Sequence, residues 1–224
     1  MGSPGSERAP SAGDAASCPY CERRLETPFC CVSCEQLFRP EREPTPFEAF
    51  GLPLNYGVDC AELERRLLRY SRLVHPDFFV TASEDQRLIA EENTAALNGA
   101  FEILSDHARR SDWLITALGG PSAGDEKQLP QEFLMEVLEW GEGIEQARGA
   151  PAGSEARTAL EPLAATLEKR RKESYRELNA SLVPPPELGD ERLTQARRLL
   201  NAIRYLDRTL EGLEALRLEQ TSSH

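Results

Sequence analysis

From Asp59 to Val74 apolar side chains recur at helical spacing: at about 100° per residue, Leu63, Leu67, Tyr70 and Val74 share one side. Arg65, Arg69 and Arg72 fall on the opposite side, with Arg66 on the flank. Asp59 suits the N-cap of this helix. A second period runs from 84 to 104, where Ala90, Leu97, Ala100, Phe101 and Leu104 form a matching stripe. Two such stripes predict an antiparallel helical hairpin, with His75-Pro76-Asp77 in its connection. Pro76 ends the first helix and drives His75 out of the α region, so the tripeptide is expected at an exposed tip beside a basic face.

Beyond residue 130 the period is again helical. Between Gln131 and Arg148, Phe133, Val137, Trp140 and Ile144 lie in one narrow arc, enough to seal one side of a three-helix bundle. Leu134, Met135 and Leu138 lie in a different arc, with Glu139 and Glu142 beside them. Either both arcs are buried, or the second is an exposed apolar patch with an acidic rim, which marks a protein-binding surface. No Lys or Arg occurs between Gln131 and Ala147, so a partner's facing surface is expected to be basic or neutral. A middle helix over about 155 to 182 carries Leu160, Leu163, Leu167, Leu178 and Leu182, with Pro162 marking its true start or a kink. The last helix has a stripe of Leu199, Ile203, Leu206, Leu210 and Leu213. Tyr205 points away from that stripe, either as ordinary surface or as a member of the Leu134, Met135 and Leu138 patch. No strand pattern appears anywhere, and the fold class is read as all-α.

Punctuation divides the chain. Residues 1–17 are small and polar and read as a disordered tail; 18–38 hold five of the six cysteines. "RPEREPTP" at 39–46, with three prolines, suits an extended linker. The first helical region spans 47–118, a Gly- and Pro-rich boundary covers 119–130, and the second helical region spans 130–218. Composition then narrows the class. The 224 residues carry a net charge of -12 with pI near 4.9, which argues against general affinity for nucleic acid or an anionic membrane. No apolar run approaches the roughly 18 residues that span a bilayer, and the first residues contain no signal-like core. A cytoplasmic location is expected.

The cysteines carry the clearest chemistry. Cys18-x2-Cys21 and Cys31-x2-Cys34 are separated by nine residues. Each pair can wrap one edge of a tetrahedral ion, and two pairs complete a four-cysteine zinc site. So short a segment has no core of its own, so metal binding would supply its folding energy. Four thiolate ligands close such a site to water, making it structural rather than catalytic. Cys30, beside Cys31, leaves the register of one ligand open. Two disulfides or a redox CxxC are the competing readings, disfavoured by the expected compartment and by the paired spacing. Cys60 reads as a structural thiol.

A basic helix, His-Pro-Asp and a long antiparallel helix together resemble the J-domain of DnaJ-type co-chaperones. More narrowly, "PFEAFGLPLNYGVDCAELERRLLRYSRLVHPDFF" is similar to the start of the HscB family of iron–sulfur cluster co-chaperones. Phe47, Phe50, Gly51 and Leu52 match its opening signature; "LNGAFEIL", "ARRSDWLI" and "FLMEVLEW" match later segments. The resemblance covers about 47–215 and implies a J-domain followed by a C-terminal three-helix bundle. It implies that His75, Pro76 and Asp77 dock on an HscA/DnaK-type chaperone and trigger its ATP hydrolysis, with Arg65, Arg66, Arg69 and Arg72 contacting an acidic groove on that partner. It assigns Leu134, Met135, Leu138, Glu139, Glu142 and Tyr205 to binding the IscU-type cluster scaffold. The family commonly has a base after the HPD motif, where this chain has Phe78. The cysteine module resembles the N-terminal extension of eukaryotic mitochondrial and some bacterial members, with Cys18, Cys21, Cys31 and Cys34 as zinc ligands.

Three other functions compete. A general J-domain adaptor for a different client uses the same tip. A nucleic-acid-binding zinc regulator is opposed by the acidic balance and by the lack of interleaved aromatic and basic residues. An enzyme using His75 and Asp77 as an acid–base pair is opposed by an exposed tip with no pocket to tune them. A non-enzymatic monomer or weak homo-oligomer is expected.

Overall fold

The computed structural model describes residues 16–151 and 153–221. Most of the expected tail, residues 1–15, lies outside them; Ala16 and Ser17 belong to the cysteine module, where the Leu25 N–H donates to the Ala16 carbonyl (2.8 Å) and Ser17 bridges to Arg24. The ordered elements are α1 (Pro46–Ala49), α2 (Cys60–Val74), a 3-10 turn (Pro76–Phe79), α3 (Glu84–Ser105), α4 (His107–Ala117), α5 (Gln131–Gly149), α6 (Glu155–Thr158), α7 (Leu160–Leu182) and α8 (Arg192–Thr221). Two isolated β-bridges, both in the cysteine module, are the nearest approach to a sheet among the described residues. The all-α expectation holds.

Local chemistry sets the helix ends. The Asp59 carboxylate accepts from the Ala61 and Glu62 N–H groups, and the Ser83 hydroxyl accepts from Gln86 N–H, which fixes where α2 and α3 start. Thr45 and Glu48 form a reciprocal capping box on α1, with Arg42 bound to the Glu48 carboxylate. That ion pair and the cap hold the Glu48 carboxyl at about 2. The 39–46 stretch is therefore tied down rather than free, and Arg39 also reaches Glu92 and Asp85 on α3.

The chain forms two compact units, residues 1–110 and 111–224. In the first, Val74 lies beside Thr94, whose hydroxyl donates to the Val74 carbonyl (3.0 Å), while Tyr56 lies beside His107. That pairing makes α2 and α3 antiparallel. Leu63, Tyr70 and Val74 are buried against Ala90, Leu97, Ala100 and Leu104, along with Phe47 and Phe50. Each buried leucine contributes about 2 kcal/mol relative to exposure. The cysteine module packs onto this core. The Asn93 amide, almost fully buried, donates to the carbonyls of Phe29 (3.3 Å) and Phe38 (2.8 Å), and Thr27 donates to the Ala49 carbonyl (2.9 Å). Gly51 makes the approach possible: it has φ +61°, and a Cβ there would stand 2.0 Å from the Glu26 carbonyl oxygen.

The 119–130 stretch reads as a domain boundary, but the division falls earlier, between Arg110 and Ser111 inside α4. Ser111, Leu114 and Ile115 are buried in the second unit. Asp112 pairs there with Arg197 and Arg204 of α8, and Arg197 also donates to the Pro121 carbonyl (2.8 Å). The remainder of this unit is a bundle of α5, α7 and α8, with Phe133, Trp140, Leu160, Leu167, Leu206 and Leu213 in its core. Pro162 stands in the first turn of α7, so it marks the helix start, preceded by the separate short α6. None of the described helices is long and apolar enough to cross a membrane.

Candidate functional site

The four cysteines converge. The Sγ atoms of Cys18, Cys21, Cys31 and Cys34 all lie within 4.8 Å of one another, with Cys18–Cys34 and Cys21–Cys31 at 3.6 Å. A tetrahedral ion with Zn–S bonds of about 2.3 Å needs sulfur edges of about 3.8 Å, so the residues fit such an ion. Two equivalent turns build the site. In each, the Glu just after the pair takes a left-handed conformation (Glu22 φ 58°, Glu35 φ 61°) and its N–H donates to the carbonyl of the first cysteine. The signal was present in the sequence as a repeated C-x-x-C-E. Burial pushes the Cys31 thiol up, but the N–H groups of Cys34 and Ser33, helped by the Cys21 and Cys34 thiols, more than reverse this and bring it to about 6. Cys30 stays out of the cluster: it is fully buried and its thiol is pushed up to about 12 by burial. The cluster thus contains Cys31 and not Cys30. Asn93 and Thr27, which help seat this module, carry no local motif, and only the contacts identify them; Gly51 stands in the opening signature, but its close approach to Glu26 is visible only in the contacts.

His75 caps the end of α2 in an extended conformation (φ -67°, ψ 131°), and Pro76 opens the 3-10 turn. The His75 side chain is 45% exposed and that of Asp77 82%. The Asp77 N–H donates to His75 Nδ1 (3.3 Å), leaving Nε2 as the ring's own donor, with the Asp77 carboxylate 3.5 Å from Nδ1. A two-group tip results: one N–H donor and one carboxylate, both open to solvent. Phe78 stands edge-on to the imidazole, itself 67% exposed.

The arginines behind the tip are not equivalent. Arg65 faces solvent and pairs with Glu62 (2.8 Å). Arg66 folds back, donating to Glu62 and to the carbonyls of Phe50 (2.7 Å) and Gly51 (3.1 Å), so it braces α2 against the chain entering it. The guanidiniums of Arg66 and Arg65 hold the Glu62 carboxyl below its usual range. Arg69 pairs with Glu26 of the cysteine module (2.8 Å). Arg72 has no acidic partner among the described residues. An evenly available basic face is therefore the wrong picture of Arg65, Arg66, Arg69 and Arg72; Arg66 is committed to main-chain carbonyls.

On α5, Phe133 and Trp140 are buried, while Leu134 (46%), Met135 (66%) and Leu138 (65%) are exposed. The second arc is thus a surface patch. Glu139 and Glu142 are exposed beside it and pair with no base among the described residues. Glu136, one turn before Glu139, is instead bound by Arg170 of α7 (3.1 Å). Tyr205 corrects the expectation that it points off the core: it is half-buried and lies edge-on to Phe133 at 5.9 Å between centroids. In a three-helix bundle α8 faces both α5 and α7, so its buried arc is wider than one stripe.

Comparison with known proteins gives this arrangement a family. A family model described as the HSCB C-terminal oligomerisation domain matches residues 129–214. A Co-chaperone protein HscB homolog of Vibrio vulnificus is 30% identical over 169 residues, covering 75% of this chain and 94% of the relative. The Iron-sulfur cluster co-chaperone protein HscB of Mus musculus is 28% identical over 215 residues, covering 94% and 86%. Among solved structures, human co-chaperone protein HscB aligns with a TM-score of 0.69 over 91% of this chain and all of its own, at 23% identity. Chaperone HscB from Vibrio cholerae aligns with a TM-score of 0.61 over 79% of this chain, at 24% identity. At those identities the two structures speak for the fold, and it is the same. With nearly a third of positions shared across almost the whole Vibrio vulnificus relative, this chain belongs to the HscB family of co-chaperones.

Proposed function

We propose that this chain is a co-chaperone of iron–sulfur cluster assembly: it stimulates ATP hydrolysis by an HscA/DnaK-type chaperone and delivers an IscU-type scaffold protein to it. The observation that carries this reading is the exposed His75-Pro76-Asp77 turn, which offers a donor and a carboxylate to a partner rather than to the chain's own core. Both side chains stand open to solvent, a poor setting for excluding water from a substrate, so the chemistry belongs to the partner's nucleotide site and this chain supplies the trigger. A zinc ion held by Cys18, Cys21, Cys31 and Cys34 keeps the N-terminal module folded against α1 and α3. The scaffold docks on Leu134, Met135 and Leu138, oriented by Glu139 and Glu142, with Tyr205 supporting the patch from beneath through Phe133.

Steady-state ATPase of the chaperone, with scaffold present, tests the trigger. Wild type is expected to raise the rate several-fold, and His75→Gln to abolish the increase while binding the scaffold normally. Stimulation that survives the substitution rejects the reading. The scaffold arm has its own test. Leu134→Ala combined with Leu138→Ala is expected to weaken scaffold binding at least about tenfold, since truncating exposed anchors removes roughly 1 kcal/mol or more each from an interface. The same pair is expected to leave the urea midpoint unchanged, because both side chains are already in water. A large drop in that midpoint would reassign the patch to the core.

A further inference from the structure

The second cysteine turn and α2 enclose one groove. Val32 and Glu35 form one wall, Arg65, Leu68 and Arg72 of α2 the other, and Phe78 closes the end nearest the HPD turn. Leu68 and Phe78 are each more than 60% exposed, an unusual placement for large apolar side chains on one edge of a folded unit. On a chain with net charge -12 the cations here stand out. Arg69 is already neutralised by Glu26, whereas Arg72 has no acidic partner among the described residues. Glu35 is the one acid lining the groove. Continuity with the trigger is direct: Phe78 follows Asp77 and touches the His75 ring edge-on, at 6.4 Å between centroids.

Resting on the co-chaperone reading above, we propose that this groove receives an acidic segment of the ATPase chaperone bearing apolar side chains, so that the cysteine module forms one wall of the chaperone contact. Apolar side chains of that segment cover Leu68, Phe78 and Val32, and its carboxylates meet Arg72 and Arg65. Glu35 opposes it. The module thereby sets affinity, while His75 and Asp77 set the hydrolysis rate.

Glu35 makes the test a gain of function, which a misfolded variant cannot mimic. In the chaperone ATPase titration, Glu35→Lys is expected to lower the half-maximal co-chaperone concentration about threefold, an advantage that shrinks at high salt. Val32→Glu is expected to raise it about fivefold or more, with maximal stimulation kept. Glu22→Lys, at the equivalent position of the other cysteine turn, is expected to match wild type. Metal stoichiometry, measured on every variant, is expected to stay at one ion per chain. If wild type fails to stimulate, the co-chaperone reading falls and takes the groove with it. If wild type stimulates and His75→Gln does not, yet Glu35→Lys and Val32→Glu behave as wild type, the groove alone is wrong. If sedimentation shows a wild-type homodimer that Val32→Glu dissolves, the occupant is a second copy of this chain and the proposal is overturned.

Discussion

Chelation of the zinc-loaded protein is expected to raise the number of thiols open to an aromatic disulfide reagent from one to six. In the loaded state only Cys60 is exposed and free of the cluster; Cys18, Cys21, Cys31 and Cys34 are ligands, and Cys30 is fully buried. The magnitude follows from a comparison of driving forces. Structural zinc contributes an apparent 10–16 kcal/mol, roughly, in isolated zinc modules at neutral pH. Against this, the largest apolar side chain the module buries, Phe29, contributes about 3 kcal/mol, and the buried Asn93 and Thr27 hydrogen bonds about 1 kcal/mol each. These contacts are too weak to hold 16–38 in place once four close thiolates lose their cation. Helical circular dichroism is expected to change little, since α1 to α8 supply none of the ligands. A count that stays at one after chelation would show that the module is held by packing instead.

Arg197→Met is expected to destabilise the second unit by about 2 kcal/mol, the cost of leaving a carbonyl without its donor. With a urea dependence near 2 kcal/mol/M, that lowers the midpoint by about 1 M. Both tryptophans, Trp113 and Trp140, lie in this unit, so their fluorescence reads its unfolding. Arg197 is fully buried and binds Asp112, the Thr116 hydroxyl (3.4 Å) and the Pro121 carbonyl. Replacing a buried ion pair by apolar groups can be neutral, so the ion pair itself does not decide the sign. The Pro121 carbonyl does: methionine cannot donate to it, whereas Asp112 keeps Arg204. Arg171→Met, which breaks the more exposed pair with Asp207, is expected to lose less than about 1 kcal/mol. An Arg197→Met midpoint equal to wild type would mean that the loop at Pro121 relaxes and finds water.

The elements most legible in the sequence were those governed by neighbours in the chain. The α2 and α3 stripes, the Asp59 cap and the turn at Pro76 all depend on residues within a few positions, and each appears as expected. The exposed arc on α5 was legible as one of two options, and the burial of Phe133 and Trp140 decides it. What the sequence concealed was long-range. Gly120 reads as linker punctuation, yet a Cβ there would meet Leu193 at 2.7 Å and Ile115 at 2.8 Å. That glycine marks a close approach inside the second unit, not a flexible boundary. A helical wheel places Arg69 on a basic face; it cannot say that Glu26, 43 positions away, will neutralise it. Tyr205 failed for the same reason, since the third helix that covers it is distant in sequence.

The amide of Asn93 carries a lesson for anyone shortening this chain. It is fitted to two carbonyls of the cysteine module and is almost wholly shielded from water. A fragment beginning at Thr45 would keep the helical hairpin but open Asn93 to solvent, bare the hydrophobic berth of Phe29 and release Arg69 from its acid. Such a fragment would display a stickier and more cationic flank than the intact molecule. Its partner affinities would report the amputation as much as the trigger.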